Sequence, residues 1–172
     1  MIKFFKLFNK SADDRFGDNM RLERTLEGTV MEVATLFLVI GLWTAAVYMF
    51  RNAPETIPTH FDVNGIANNE GSRLTLLLLA AVGTLVSGLM LAGAYAPKKM
   101  VNMPVKVTHM RQLVIMSRML RVMAILMVLL FISIVFMIGY PEAPQPRIIM
   151  MVIVGLFMVV PVGFTIAARN KK

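Results

Sequence analysis

Four long apolar windows decide what this chain can fold into. Residues 30–50, 74–95, 122–140 and 148–168 hold among them a single Asp, Glu, Lys, Arg or His, namely Glu32. A bilayer hydrocarbon core of ~30 Å takes ~20 helical residues at ~1.5 Å rise, so each window is long enough to cross once. The remainder of the 172 residues is cut into pieces too short to bury a core of their own. That excludes a soluble enzyme and a separate folded domain. It also excludes a β-barrel, whose strands would be ~10 residues long with alternating polarity. Composition agrees: 57% of residues are hydrophobic, 16% are charged, and the mean hydropathy is +0.68. Soluble domains lie nearer ~25% charged.

The windows predict an all-α fold, an integral membrane four-helix bundle. Residues 1–29 form an N-terminal segment, 30–168 the membrane domain and 169–172 a basic tail. Within the membrane domain, 51–73 is the loop between spans one and two, and 96–121 is the connector between spans two and three. Fifteen of the 18 Lys and Arg residues lie before span one, in that connector or after span four. By the positive-inside rule those segments, with both termini, are expected in the cytoplasm and the 51–73 loop outside. Anionic lipid headgroups then account for the net charge of +8. No aromatic interleaving or recognition-helix pattern accompanies the charge, so no nucleic-acid partner is expected. The chain has no cysteine, which removes disulfides, thiolate metal sites and cysteine nucleophiles.

At the N-terminus, Ile2, Phe4, Phe5, Leu7 and Phe8 stand among Lys3, Lys6 and Lys10. Lys6 interrupts the apolar run a signal peptide would need, and an amphipathic helix lying on the inner leaflet fits better. Pro97 and Pro104 punctuate the connector, and a long third helix follows with Arg111, Arg118 and Arg121 on a common side. Residues 141–147, carrying three prolines, read as a tight outer hairpin between spans three and four.

Inside the spans, few side chains can do chemistry. Glu32 lies near the cytoplasmic edge of span one, where pairing with Arg118 or Arg121 is expected ahead of a proton relay. Trp43 sits deep enough that its indole N–H needs an acceptor within the bundle. Ala80, Thr84, Gly88, Ala92 and Ala96 recur every fourth residue and read as a close-packing stripe within the bundle, with a homo-oligomer face as the sharper option. Met116, Met119, Met123 and Met127 line one side of helix three; with no Cys or His beside them, packing is expected rather than a copper path. Pro161 interrupts span four and is expected to bend it, freeing the carbonyl of Phe157.

Residues 54–73 carry the densest signal. Pro54 and Pro58 fix the backbone at two points. Residues 59–63 alternate, with His60 and Asp62 on one face and Phe61 and Val63 on the other. Asn64-Gly65 suits a two-residue type I′ turn, so a small stiff hairpin is expected. His60 beside a carboxylate could serve as a proton-linked switch, a metal ligand or a hydrogen-bonding clamp. A metal site built from His60 and Asp62 with Glu55 or Glu70 would be weak, and His109 lies on the opposite side of the membrane. No metal or other cofactor is expected.

Pro54, Ile57, Pro58, His60, Phe61 and Gly65, set between two spans, resemble a bacterial membrane domain of unknown function. That domain forms the N-terminal part of the sporulation-delaying-protein immunity (SdpI-like) proteins. The resemblance covers about residues 30–95. Asn68 or Asn69 stands where the family often has an acid, and Arg73 where it has a lysine. The second membrane half of the immunity proteins has no counterpart in residues 97–172. What the resemblance implies is a bacterial inner-membrane protein with a binding or regulatory role, meeting a protein or peptide ligand at the outer loop.

The ligand-binding candidates are Pro58, His60, Phe61, Asp62 and Gly65, with Glu32, Arg118 and Arg121 as structural or proton-linked groups. The alternative is a subunit of a small-ion or solute transporter, although transporters usually carry broken helices or ionisable groups at midplane. Catalysis is not expected, because the loop's His60, Asp62, Thr59 and Ser72 lie on one short segment without a second element to complete a site.

Overall fold

The computed structural model describes residues 25–62, 67–95 and 110–169. The amphipathic N-terminal segment, the Asn64-Gly65 turn, the Pro97 and Pro104 connector with His109, and the last three residues lie outside the described residues. Among the described residues four helices and one two-stranded sheet follow in the order α1 (Leu26–Asn52), β1 (Thr56–Phe61), β2 (Ala67–Ser72), α2 (Leu74–Tyr95), α3 (Met110–Gly139) and α4 (Pro144–Arg169). All four helices are long and apolar enough to cross a membrane, which makes this a multi-pass membrane protein.

Each helix boundary has a local cause. Thr25, in extended backbone, accepts the Gly28 N–H on its hydroxyl at 3.1 Å and caps α1, which starts four residues before the apolar window. α1 ends at Asn52 because Ala53 precedes Pro54, which disfavours helical geometry at Ala53. Ser72 Oγ accepts the Leu74 N–H at 3.3 Å and opens α2. The expected outer hairpin at 141–147 is shorter than the prolines suggested. α4 already begins at Pro144, so Pro144, Pro146 and Arg147 belong to its first turn. Proline is tolerated there because first-turn N–H groups have no partner within the helix.

Packing divides the helices three and one. α1, α2 and α3 each pack against the other two, whereas α4 lies on α3 with at most slight contact to α1 and α2. The main core holds Leu42, Ala46, Met49, Leu76, Ala80, Val128 and Val135, all buried, with Ile57 of β1 docked into it. Gly83 allows a close approach to α3: a Cβ there would stand 2.8 Å from the Phe131 ring and 3.1 Å from Leu42. A smaller cluster of Met116, Met119 and Ala168, with Met123 and Phe164 beside it, joins α3 to α4. The methionine row is thus partly packing, as expected. Pro161 sits within an unbroken α4, and Thr165 returns its hydroxyl to the Pro161 carbonyl at 2.7 Å.

Two sequence expectations are corrected here. The four-residue stripe on α2 does not hold one face, since each step of four drifts about 40° round the helix. Ala80 is buried, but Gly88 and Ala92 are exposed, and the buried row runs instead through Gly83, Ser87 and Ala94. The common side of Arg111, Arg118 and Arg121 also splits. The first two are exposed, while Arg121, about 60° round from Arg118, is buried.

Candidate functional site

The hairpin stands at the end of the bundle where α1 and α3 finish and α2 and α4 begin. Its base is pinned at several points. The Arg73 N–H donates to the Glu55 carbonyl at 3.1 Å, Arg73 Nη1 reaches the Ala53 carbonyl at 3.4 Å, and its guanidinium carbon lies 5.0 Å from the Phe50 ring centroid. Ile57 and Phe61 pack on the main core, which supplies the apolar contact an isolated two-stranded hairpin lacks.

The strand register shows why the tip does not alternate simply. Pro58 pairs with Glu70 and His60 with Asn69, leaving Thr59 extra on β1; Phe61 then pairs with Ala67, leaving Asn68 extra on β2. Paired bulges of this kind bend a ribbon and re-aim its side chains. His60 is exposed, as expected, whereas Asp62 is half-buried.

Two clefts flank the hairpin. On one side Thr59, His60 and Asp62 share a cleft of about 360 Å³ with Arg147, from the first turn of α4. Phe61, Met137, Met150 and Met151 supply its apolar lining. On the other side Ile57 and Pro58 line a more apolar cleft of about 380 Å³ with Tyr48, Asn52 and Tyr140. Of the expected ligand-binding set, therefore, the structure brings His60, Phe61 and Asp62 together and places Pro58 on the other flank. Gly65 lies outside the described residues. Glu55 and Glu70 line a third hollow beside Arg73, so the metal set imagined around His60 is not assembled. Among the described residues no group of three or more His, Asp or Glu is placed to hold a metal ion.

The opposite end holds a second polar cluster. Arg121 Nε donates to Glu32 Oε1 at 2.9 Å, and Arg121 Nη1 donates to Ser117 Oγ. Ser117 Oγ donates in turn to the Ala94 carbonyl at 2.7 Å. The Tyr95 hydroxyl donates to both Glu32 oxygens, at 2.6 and 2.7 Å, while its ring lies 5.1 Å from the Arg121 guanidinium carbon. Gly28 leaves room for that guanidinium, since a Cβ there would stand 3.2 Å from it. The network ties α1, α2 and α3 together. Arg118 takes a different acid, Glu27, at 2.6 Å on the exposed surface.

Several participants were not named from sequence. Arg147 was the lone basic residue between spans three and four, a signal that could have drawn attention to it. Tyr95 closes span two at the level of Glu32, which offered a similar hint. Ser117 and Gly28 gave none.

Residues 36–84 match a family model, Domain of unknown function (DUF1648). No curated protein and no solved structure matches the chain. The DUF1648 match runs from α1 through the hairpin into α2, and so includes His60, Asp62 and Arg73. Glu32 precedes it, and Tyr95, Arg121 and Arg147 follow it. The His60 cleft is thus completed by residues outside the DUF1648 stretch, and the Glu32 cluster lies wholly outside it.

Proposed function

We propose that this chain is a binding or regulatory protein of the bacterial inner membrane, not an enzyme, with its ligand met in the cleft between the hairpin and α4. One observation carries the proposal. A hairpin anchored in the bundle core by Ile57 presents His60 and Asp62, and a different helix closes the same cleft with Arg147. Convergent polar groups over an apolar lining are the usual make-up of a ligand site. The positive-inside pattern supports an extracytoplasmic hairpin and a basic cytoplasmic face on anionic headgroups. The resemblance of the Pro54 to Gly65 run to SdpI-like immunity proteins supports a role in sensing or neutralising something that reaches the outer surface.

The test is gentle solubilisation from the native membrane and identification of what accompanies the protein. His60→Ala and Asp62→Ala are expected to lose that companion while the protein remains inserted and helical. Retention of the same companion by both variants would overturn the reading.

A transporter subunit is the alternative, favoured by a charged pair, Glu32 and Arg121, within spanning helices. Flux through proteoliposomes that is abolished by Glu32→Gln would select it. The cross-bracing of that pair by Tyr95 and Ser117 favours a structural lock.

A further inference from the structure

The cleft between the hairpin and α4 collects sulfur. Met137 of α3 and Met150 and Met151 of α4 line it together with His60 of β1, so three thioethers and an imidazole from three elements border one cavity of about 360 Å³. The methionine row farther back on α3 has no histidine beside it; this group has one.

Core packing does not account for these three methionines. Neither apolar cluster of the bundle includes them, whereas Met49 belongs to the main one and Met116 and Met119 to the smaller. Met150 is half-buried and Met151 is 55% exposed, so both stand at the wall of the cleft and not inside the bundle. Among the described residues no hydrogen bond or ion pair engages the His60 imidazole.

The donor set chooses the metal. Thioether sulfur is soft and selects Cu(I), and imidazole is a good copper ligand. A zinc, calcium or magnesium ion needs carboxylates, thiolates or several imidazoles. No group of three or more His, Asp or Glu is placed for one among the described residues. The Arg147 guanidinium in the cleft wall weighs the same way, because a monovalent ion brings half the charge of a divalent one beside it. Three rotatable bonds let each methionine swing its sulfur toward a common point.

We propose that the hairpin–α4 cleft binds a soft monovalent metal ion, Cu(I), on the sulfurs of Met137, Met150 and Met151 and a ring nitrogen of His60. The inference rests on the cleft being the ligand site and names the class of ligand it takes. This set differs from the oxygen-rich one that the hairpin sequence suggested, because its sulfurs come from α3 and α4.

The experiment uses the full chain in detergent, titrated anaerobically with Cu(I) against bicinchoninate and, in parallel, with Zn(II). The wild type is expected to take one Cu(I) per chain in preference to Zn(II), with sulfur and imidazole scattering in the copper X-ray absorption spectrum. His60→Ala and the double variant Met150→Leu/Met151→Leu are each expected to weaken Cu(I) retention at least about tenfold, the lower end for losing even a group that merely supports a ligand. The double variant Met116→Leu/Met119→Leu, in the packing cluster, removes as many sulfurs and is expected to change nothing. Leucine for methionine conserves volume, and unchanged helicity and melting temperature establish that each variant is folded. Should His60→Ala fail that check, the Met150→Leu/Met151→Leu variant decides.

Cu(I) retention by the wild type no stronger than by Met150→Leu/Met151→Leu overturns the proposal. Equal retention of Zn(II) does so too, as does an equal loss in Met116→Leu/Met119→Leu. If copper is not held but a companion from native membranes is captured and then lost in His60→Ala and Asp62→Ala, the metal assignment fails and the cleft remains the ligand site. If neither copper nor any native companion responds to these variants, both readings fail.

Discussion

Each end of the bundle holds an arginine at the margin of its apolar helices, and the two are set in opposite surroundings. Arg121 is buried, with Glu32, Ser117 and the Tyr95 ring all against its guanidinium. Arg147 lies in the wall of an open cleft of about 360 Å³, shared with a hairpin that comes from a distant part of the chain. The first arrangement joins three helices at their ends and leaves little room for a ligand. The second leaves space between two elements that α3 alone holds in common. The same residue type thus closes a network at one end and lines an open cleft at the other, and an arginine count would not separate the two.

The contrast can be broken most sharply at the closed end. Arg121→Ala removes the buried guanidinium that pairs with the Glu32 carboxylate and is expected to destabilise the protein by about 3 kcal/mol. Equilibrium unfolding in bicelles by steric trapping would measure it. The double variant Glu32→Leu/Arg121→Met is expected to recover most of that loss, because replacing both members by apolar groups removes the unpaired charge. If the double variant is as damaged as the single, the network does more than hold the helices together.

A smaller effect is expected for Tyr95→Phe, which removes the hydroxyl donor to Glu32 but keeps the ring under Arg121. The loss should be about 1 kcal/mol in the same assay. Trp43→Phe removes the indole donor to Thr84, a bond of 3.0 Å, and is expected to cost about 0.6 kcal/mol, typical of hydrogen bonds between membrane helices. At the open end, His60→Ala is expected to change stability by less than about 0.5 kcal/mol, since its side chain is exposed. A melting temperature that falls as far for His60→Ala as for Arg121→Ala would erase the distinction between the two ends.

What could be read from the sequence follows from the physics of the bilayer. The spans were legible because length and lack of charge alone define them. The Trp43 acceptor and a partner for Glu32 on helix three were legible because an indole N–H or a carboxylate in apolar surroundings must find a partner. The side of each helix was not. α4 is apolar on every face, and lipid is as apolar as a helix neighbour, so periodicity could not show that α4 leans on α3 alone. The hairpin was legible from its turn chemistry and β-prone residues, but the bulges at Thr59 and Asn68 were not, because register depends on which side chains the bundle accepts. Arg147 entered the cleft unannounced for a related reason. Its role depends on α4 starting at Pro144, and proline there is equally at home in a loop.

The lopsided packing of α4 has a consequence for the order in which the molecule becomes whole. Chains fold as they are made, from the N-terminus onward. By Gly139 a growing chain already contains α1, the hairpin, α2 and α3, with every buried residue of the main core and every member of the Glu32 network. Arg147, Met150 and Met151 arrive afterwards. The three-helix scaffold can therefore close before the cleft beside His60 exists, and α4, which emerges after it, gives that cleft its far wall.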